Sequence, residues 1–536
     1  MQLYPTRATF HVAIAGAAVT ALGAAAHLAP VVAFGGAILL AVAFGRSLAS
    51  LAVTRMRASG FEMVWNEPAR VRRIARGARV TIEGEVRNRG PDPMRAVGVR
   101  PIASSMLDVS IEPAVLELPP GGVARIEAHV TARRVGRWGL HGIGLEVRGA
   151  ALGGDGLFEV PLIFGNPFGF EVVPTSLGAL LATPRGGRAR RGAEIGRPSN
   201  LSGDGDELRE LRDHIPGDPF KKIAWKASAR RGRLLVREME REKRDTLWLV
   251  VDASVELWAG APGTAPLDVV IDEVGSLAAR HLRRGDRVGL VVAASRLRAW
   301  IAPKDGPAHA ALVASALAST ASTADADRSE LDEGQVARRV AEHARPLDPK
   351  ALADVLPSDL DALAQRAEAL RSRAPFAPRL PFAHTQREQM LRHYLASFGI
   401  EGPPRAEGER EKAETMVAQS IARIALERPR ASAVHVWAPP PGRAEVLAGA
   451  VAALRAQRIV LSWTMPPFEA GVGTEARPKR PVADVVEEAV RIRARASEAR
   501  GERVLRKLGV RLVTPTASRA GRHQGPPAEP PKDAAG

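Results

Sequence analysis

The rhythm of apolar and polar residues changes several times along the chain, and each change predicts a different kind of element. No acidic residue precedes Glu62. Ahead of it, residues 10–29 (FHVAIAGAAVTALGAAAHLA) and 31–53 form two apolar runs separated by Pro30, which disfavours helix through the residue before it. A bilayer-spanning helix needs about 20 mostly apolar residues. The first run meets that length, and the second does so if Arg46 extends its charged end to the headgroups. Residues 1–60 are therefore expected to be a transmembrane helical hairpin. A cleaved signal peptide would show a single, shorter apolar run. Gly16, Ala17, Gly23, Gly35 and Gly36 would let the two helices approach closely.

From residue 63 the helical period gives way to short alternating runs at 79–86, 96–100, 109–111, 123–130, 142–147 and 158–164, separated by Pro/Gly/Asn/Asp turns. This pattern predicts a β-sandwich over 61–180, resembling an immunoglobulin or fibronectin module. Past residue 246, apolar strands at 246–254, 287–293, 433–438, 459–464 and 510–513 alternate with helices at 267–284, 443–457 and 482–508. That alternation argues for a doubly wound, mainly parallel α/β sheet within 246–514. A charged helical insertion interrupts it at about 319–414, with helices expected at 352–370 and 386–398. Residues 181–245 form a linker and a charged central segment, the linker proper being the Gly/Arg-rich 184–197. The Pro/Gly/Ala-rich tail, 515–536, is expected to be disordered.

Charge adds orientation. Arg7 precedes the first helix, Arg46, Arg55, Arg57, Arg70, Arg72 and Arg73 follow the second, and the turn between them holds no Lys or Arg. The positive-inside rule then puts both termini and the soluble domains in the cytoplasm. The net charge of +17 would suit nucleic acid, an anionic membrane or an acidic partner. Aromatic residues are only 4%, which is poor material for base stacking, so no nucleic-acid partner is expected. With no cysteine, disulfides and thiolate chemistry are excluded.

The most specific stretch runs through residues 207–238. Ile215-Pro-Gly-Asp-Pro219 reads as a turn, 222–229 as a short helix carrying Trp225 as a large apolar anchor, and 234–239 as a strand. Twelve Lys/Arg and six Asp/Glu lie between residues 209 and 244, enough for a dense charge network. On composition alone the segment could equally be a solvated charged face around one core tryptophan. Its residue order resembles the hallmark of the family called domain of unknown function 58. Arg212, Pro216, Gly217, Asp218, Lys222, Ile223, Trp225, Ala229, Arg230, Arg237 and Glu238 occupy the matching positions. His214 stands where that family usually has tyrosine, and Lys222 where it has arginine. The resemblance implies a bacterial inner-membrane protein. It also implies partnership with a MoxR-type AAA+ ATPase, and with other membrane or envelope proteins, in assembling or maturing protein complexes. These residues would be the interaction surface, and the lipid bilayer a further partner.

The α/β region looks like a von Willebrand factor A domain. The resemblance implies a metal site at the end of the strand closing on Asp252, where oxygen ligands would suit Mg²⁺. Asp252 and Ser254 match that pattern, and Glu256 stands in place of its second serine. Residues 435–440 (HVWAPP) supply no aspartate where one is expected. Either Asp252, Ser254 and Glu256 form an altered site, or the site is degenerate and only the fold is kept, with no cofactor. His384, His393 and Tyr394 in the insertion are read as structural or solvated. No phosphate-binding loop, His-Glu-x-x-His or Gly-x-Ser-x-Gly motif occurs. The sequence therefore favours a non-enzymatic, membrane-anchored interaction protein. The alternatives are a Mg²⁺-dependent enzyme or a periplasm-facing adhesion protein using Asp252.

Overall fold

The computed structural model describes residues 4–91, 93–147, 158–182, 202–240, 244–258, 260–348, 351–352, 355–356, 358–405, 408–467 and 481–514. The Gly/Arg-rich linker and the C-terminal tail lie outside the described residues. The chain divides into two compact units, 1–172 with 322–405 and 173–321 with 406–536.

In the first unit, helices Arg7–Ala25 and Ala29–Ser59 form an antiparallel pair, each long and apolar enough to cross a membrane. Pro30 does not break a helix here. It sits in the first turn of the second one, where a missing N–H costs nothing. Gly35 is the point of closest approach, because a Cβ there would lie 2.6 Å from the Thr20 backbone nitrogen. Gly16 and Gly23 pack against the second helix in the same way, while Gly36 faces open space. Ile14, Leu22, Phe34, Leu40 and Phe44 point outward, leaving an apolar exterior of the kind lipid covers.

The second helix runs on until Ala49 and Val53 join the core of the β region. Two antiparallel sheets share that core. One is ordered Phe61–Trp65, Arg79–Asn88, Val123–Ala132, Leu107–Glu112. The other is ordered Tyr4–Pro5, Phe158–Val173, Gly136–Val147, Met94–Ala103, Val115–Leu118, with Val71–Ala75 also paired to Phe158–Val173. Alternation does the sorting: Ile82 and Val86 on one strand, and Ile126, Ala128 and Val130 on its neighbour, all turn inward. They meet Leu118, Leu140, Ile143 and Phe170 from the other sheet.

The insertion belongs to this β-rich unit and not to the α/β unit that it interrupts in sequence. Its helices Glu333–Leu347, Leu360–Leu370 and Gln386–Phe398 share a core of Val336, Val340, Leu363, Leu391 and Phe398. The middle helix starts later than expected, at Asp359, whose carboxylate caps the Ala362 N–H. The two ends of the excursion are stitched together. The buried Glu401 carboxylate accepts from Ser322 Oγ at 3.0 Å and from the Thr323 hydroxyl and N–H, while Gly402 N donates to Thr323 Oγ1 at 2.8 Å.

The second unit is built on a six-stranded sheet. Its order is Leu297–Lys304, Arg287–Ala293, Thr246–Asp252, Ala433–Trp437, Val460–Thr464, Arg511–Leu512. All neighbours are parallel except the antiparallel edge strand Leu297–Lys304, which sequence alternation did not reveal. The strand order reverses beside Thr246–Asp252, all of whose residues are buried. In open α/β sheets, such reversals open a crevice at the carboxyl ends of the strands. Helix Pro266–Arg283 covers one stretch of sheet through Val270, Ile271 and Val274, and helices Arg410–Ile424 and Ala444–Ala456 cover another.

Candidate functional site

The central signature folds as a hairpin with a helical cap. Strand Ser202–Asp213, unforeseen in the sequence, pairs antiparallel with Leu235–Glu240, and a short helix, Trp225–Arg231, bridges them. Ser228 fastens that helix, donating to Ala224 O at 3.0 Å and accepting from Leu235 N at 2.9 Å. Ile223, Ala224, Leu235 and Val236 form the small buried side.

The Pro-Gly-Asp turn is held by charge. Arg212 forks onto Asp218 at 2.8 and 2.7 Å, and the Ile215 N–H donates to the same carboxylate at 2.9 Å. The guanidinium first, then the backbone N–H, hold the Asp218 carboxyl down to about 2. Gly217 has φ +106°, a conformation that L side chains rarely adopt, so this turn requires glycine.

This clamp leaves an apolar surface facing solvent. Phe220 is 76% exposed, Trp225 61%, Ile215 58% and Leu234 47%. Trp225 is thus not a core tryptophan; it stands on the outside of its helix. Lys221, Lys226, Arg230, Arg231 and Arg233 are exposed alongside it. Of the other signature residues, Pro216, Gly217, Ala229 and Arg237 also lie on the surface, and Lys222 is half-buried. Glu238 contributes backbone pairing opposite Glu210.

At the reversal point of the parallel sheet, the Asp252 side chain is fully buried. Its Oδ1 accepts from the Ser254 N–H at 3.0 Å and from the Ser254 hydroxyl. Its Oδ2 accepts from Arg410 Nη1 at 2.5 Å. Arg410 opens the helix that follows the insertion, and sequence patterning gave no hint of its role. The small pocket here is otherwise lined mainly by Val417, Ala438, Leu447 and Trp463. Glu414 also reaches it, but its carboxylate accepts from the N–H groups of Gly442 and Arg443 at 3.2 and 2.9 Å.

Glu256 lies against Gly408, where a Cβ would fall 2.0 Å from its Oε1, so a side chain there would displace the end of Glu256. Its Oε2 is buried without a hydrogen-bond partner. Mg²⁺ demands near-octahedral oxygen ligation. Both Asp252 oxygens and the Ser254 proton are already engaged, and a guanidinium stands on the carboxylate. Among the described residues, no group of three or more His, Asp or Glu converges on one point. The donor set does not fit a divalent ion.

A second buried polar cluster lies in the β-rich unit. Tyr394 Oη is 2.8 Å from His343 Nδ1, His343 Nε2 is 3.0 Å from His141 Nδ1, and His141 Nε2 is 3.4 Å from Ser104 Oγ. Ser104 in turn donates to Gly399 O at 2.8 Å. Every donor finds an acceptor if the protons run from Tyr394 through two neutral imidazoles to Ser104. Burial lowers His141 to about 4, and burial together with the neighbouring His141 holds His343 well below its usual value. Burial alone raises Tyr394. The chain ties helices Glu333–Leu347 and Gln386–Phe398 to strand Gly136–Val147. Tyr394, which the sequence left as structural or solvated, is fully buried in this chain. His393 Nε2 donates to Pro378 O at 3.2 Å, and His384 lies beside Phe382.

An uncharacterized protein of Mycobacterium tuberculosis strain H37Rv, and one of Mycobacterium bovis, are each 27% identical over 109 residues. That match covers 20% of this chain and 34% of the relative, so the chain spans about a third of the length of these proteins. Among solved structures, the PapD-like domain 7 of human CEP192 aligns at TM-score 0.17 and 10% identity, covering 22% of this chain and 86% of that one. Native alpha-2-macroglobulin from Escherichia coli, from domain MG7 to the C-terminus, aligns at TM-score 0.17 and 13% identity, covering 74% and 52%. Likenesses at such scores leave fold and function to the chain's own geometry. Residues 210–372, from the Arg212–Asp218 clamp through the Asp252 strand into the insertion, match the family described as "Protein of unknown function DUF58".

Proposed function

We propose that this protein is a membrane-anchored, non-enzymatic interaction protein that works with a MoxR-type AAA+ ATPase in assembling or maturing protein complexes. The observation that carries this reading is the exposed face of the signature hairpin. Large apolar side chains on a monomer's surface, ringed by cations, are the composition of a binding surface: aromatic and Arg anchors dominate binding energy, and rim charges steer approach. The hairpin is rigid, because the Arg212–Asp218 fork and Ser228 fix the turn and helix from which Phe220 and Trp225 project. A pre-organised surface loses less conformational freedom on binding.

The two apolar helices supply the anchor. Their flanking arginines favour an inner membrane with the bulk of the chain in the cytoplasm, where an ATPase would meet it. A catalytic role finds no support at Asp252, whose carboxylate is buried and neutralised by Arg410.

The test is calorimetric titration of the full chain, in detergent micelles, with the MoxR-type ATPase of the same organism. Association should survive EDTA. It should weaken at least tenfold in Trp225→Ala and in Arg230→Ala, a loss of roughly 1.4 kcal/mol or more. Absence of binding by the wild-type chain, or wild-type affinity in both variants, would refute the proposal.

A further inference from the structure

We propose that Arg410 is a built-in cation: it supplies to Asp252 the positive charge that a bound metal ion would otherwise have to supply, and so makes the end of the parallel sheet independent of metal. This inference concerns the α/β unit alone and does not rest on the ATPase reading.

The argument begins with the cost of the site. A carboxylate taken wholly out of water needs a cation, a set of hydrogen-bond donors, or a proton. Asp252 is wholly buried, at the carboxyl end of a strand whose neighbours on both sides are parallel. Two donors from Ser254 satisfy Oδ1. They leave Oδ2, and the charge, unanswered from within the strand and its loop. The remaining wall of the pocket is aliphatic and aromatic, and Glu414 adds a second acid whose oxygens are committed to backbone N–H groups. Only a positive charge arriving from elsewhere completes the site.

Arg410 is that charge. It is the first residue of helix Arg410–Ile424, placed where the chain re-enters this unit after the insertion. It reaches Oδ2 at 2.5 Å and is itself 30% exposed, so its guanidinium keeps part of its hydration while answering the carboxylate. The helix then packs Val417, Ile421 and Ile424 into the core of the sheet, which holds the arginine in register over the strand end. The ion pair therefore pins the chain's return from the insertion to the strand on which the sheet is centred.

Thermal unfolding of the full chain in detergent tests this, with EDTA or millimolar Mn²⁺ as the metal probe. The wild-type transition should be the same in both. Arg410→Met strands the buried carboxylate and should lower the transition of this unit by on the order of 5–10 °C. Arg410→Lys should recover most of that loss, because it restores the charge if not the geometry. The double variant Asp252→Asn with Arg410→Met should also recover most of it, because it removes the charge that needed an answer. Three results would overturn the proposal. The first is saturable binding of one Mn²⁺ by the wild type that Asp252→Asn or Glu256→Gln abolishes. The second is an Arg410→Met variant as stable as the wild type. The third is a double variant no more stable than Arg410→Met, which would show that the arginine serves by packing and not by charge.

Discussion

The two units each bury a polar cluster beside the inserted segment's chain, and they do so in opposite electrical states. In the β-rich unit, Tyr394, His343, His141 and Ser104 form a chain of hydrogen bonds that closes only when both imidazoles are neutral. In the α/β unit, the buried Asp252 carboxylate is answered by the partly exposed guanidinium of Arg410. The difference teaches what each arrangement is vulnerable to. A neutral network tolerates burial because no charge has to be desolvated, but it fails when a proton is added. An ion pair over a buried carboxylate fails when its cation is deleted, because the charge is left uncompensated.

Deleting a partner gives the largest expected effect, and the two deletions should differ. Arg410→Met leaves a fully buried carboxylate alone and should cost about 3 kcal/mol or more. Asp252→Asn should cost only about 1 kcal/mol, because the amide oxygen still accepts from Ser254 and the partly exposed arginine can turn to water. Chemical denaturation of the two variants measures the difference. Equal losses would mean that the pair's charge is not what matters.

Acid should separate the units next. His141 titrates near 6.5 when unfolded and near 4 when folded, so below pH 6.5 the unfolded chain binds the extra proton and the folded chain does not. Stability from this residue is therefore complete above pH 6.5 and lost progressively as pH falls toward 4, by roughly 3 kcal/mol in total, with His343 acting in the same direction. Hydrogen exchange at pH 7 and at pH 4.5, corrected for intrinsic rate, should show helices Glu333–Leu347 and Gln386–Phe398 losing protection before helix Arg410–Ile424. The reverse order would refute the contrast. Within the network, Tyr394→Phe removes one hydroxyl and orphans one imidazole nitrogen, and should cost about 1–2 kcal/mol in a denaturant titration at pH 7.

The smallest stability effect belongs to the exposed signature. Trp225→Ala should leave unfolding within about 0.5 kcal/mol of the wild type, because little of the ring is buried. A variant that keeps stability and loses association separates a binding surface from a structural one. Arg212→Lys is the subtler change. A single ammonium cannot reproduce the fork on Asp218, so NMR titration should find that carboxyl moved up from about 2 toward its ordinary value of 3.8.

Local pattern was enough for the elements whose physics is local. The apolar runs around Pro30, the alternation of Arg79–Asn88 and Val123–Ala132, and the apolar strands Thr246–Asp252 and Arg287–Ala293 all stand where their periodicity placed them. Each is selected by which face must avoid water, and that selection is written in neighbouring residues. Less regular pieces escaped. Strand Leu297–Lys304 is only partly buried over most of its length, so its polarity does not alternate cleanly. Strand Ser202–Asp213 reads as glycine and charge, and gains its pairing only from Leu235–Glu240 opposite.

The sequence by itself determined the apolar hairpin, the alternating β-rich region, the α/β rhythm and the Pro-Gly-Asp signature, because each depends on residues within a turn or two of one another. Tertiary structure alone decided three things. It turned Trp225 outward, since Ile223, Leu235 and Val236 already fill the small core beneath the helix. It joined the insertion to the β-rich unit through contacts such as His343 with His141, 202 residues apart. And it brought Arg410 to Asp252 across 158 residues. Long-range pairings of this kind leave no local period to read: the partners are chosen by which buried charge or donor lacks an answer once the strands and helices have packed.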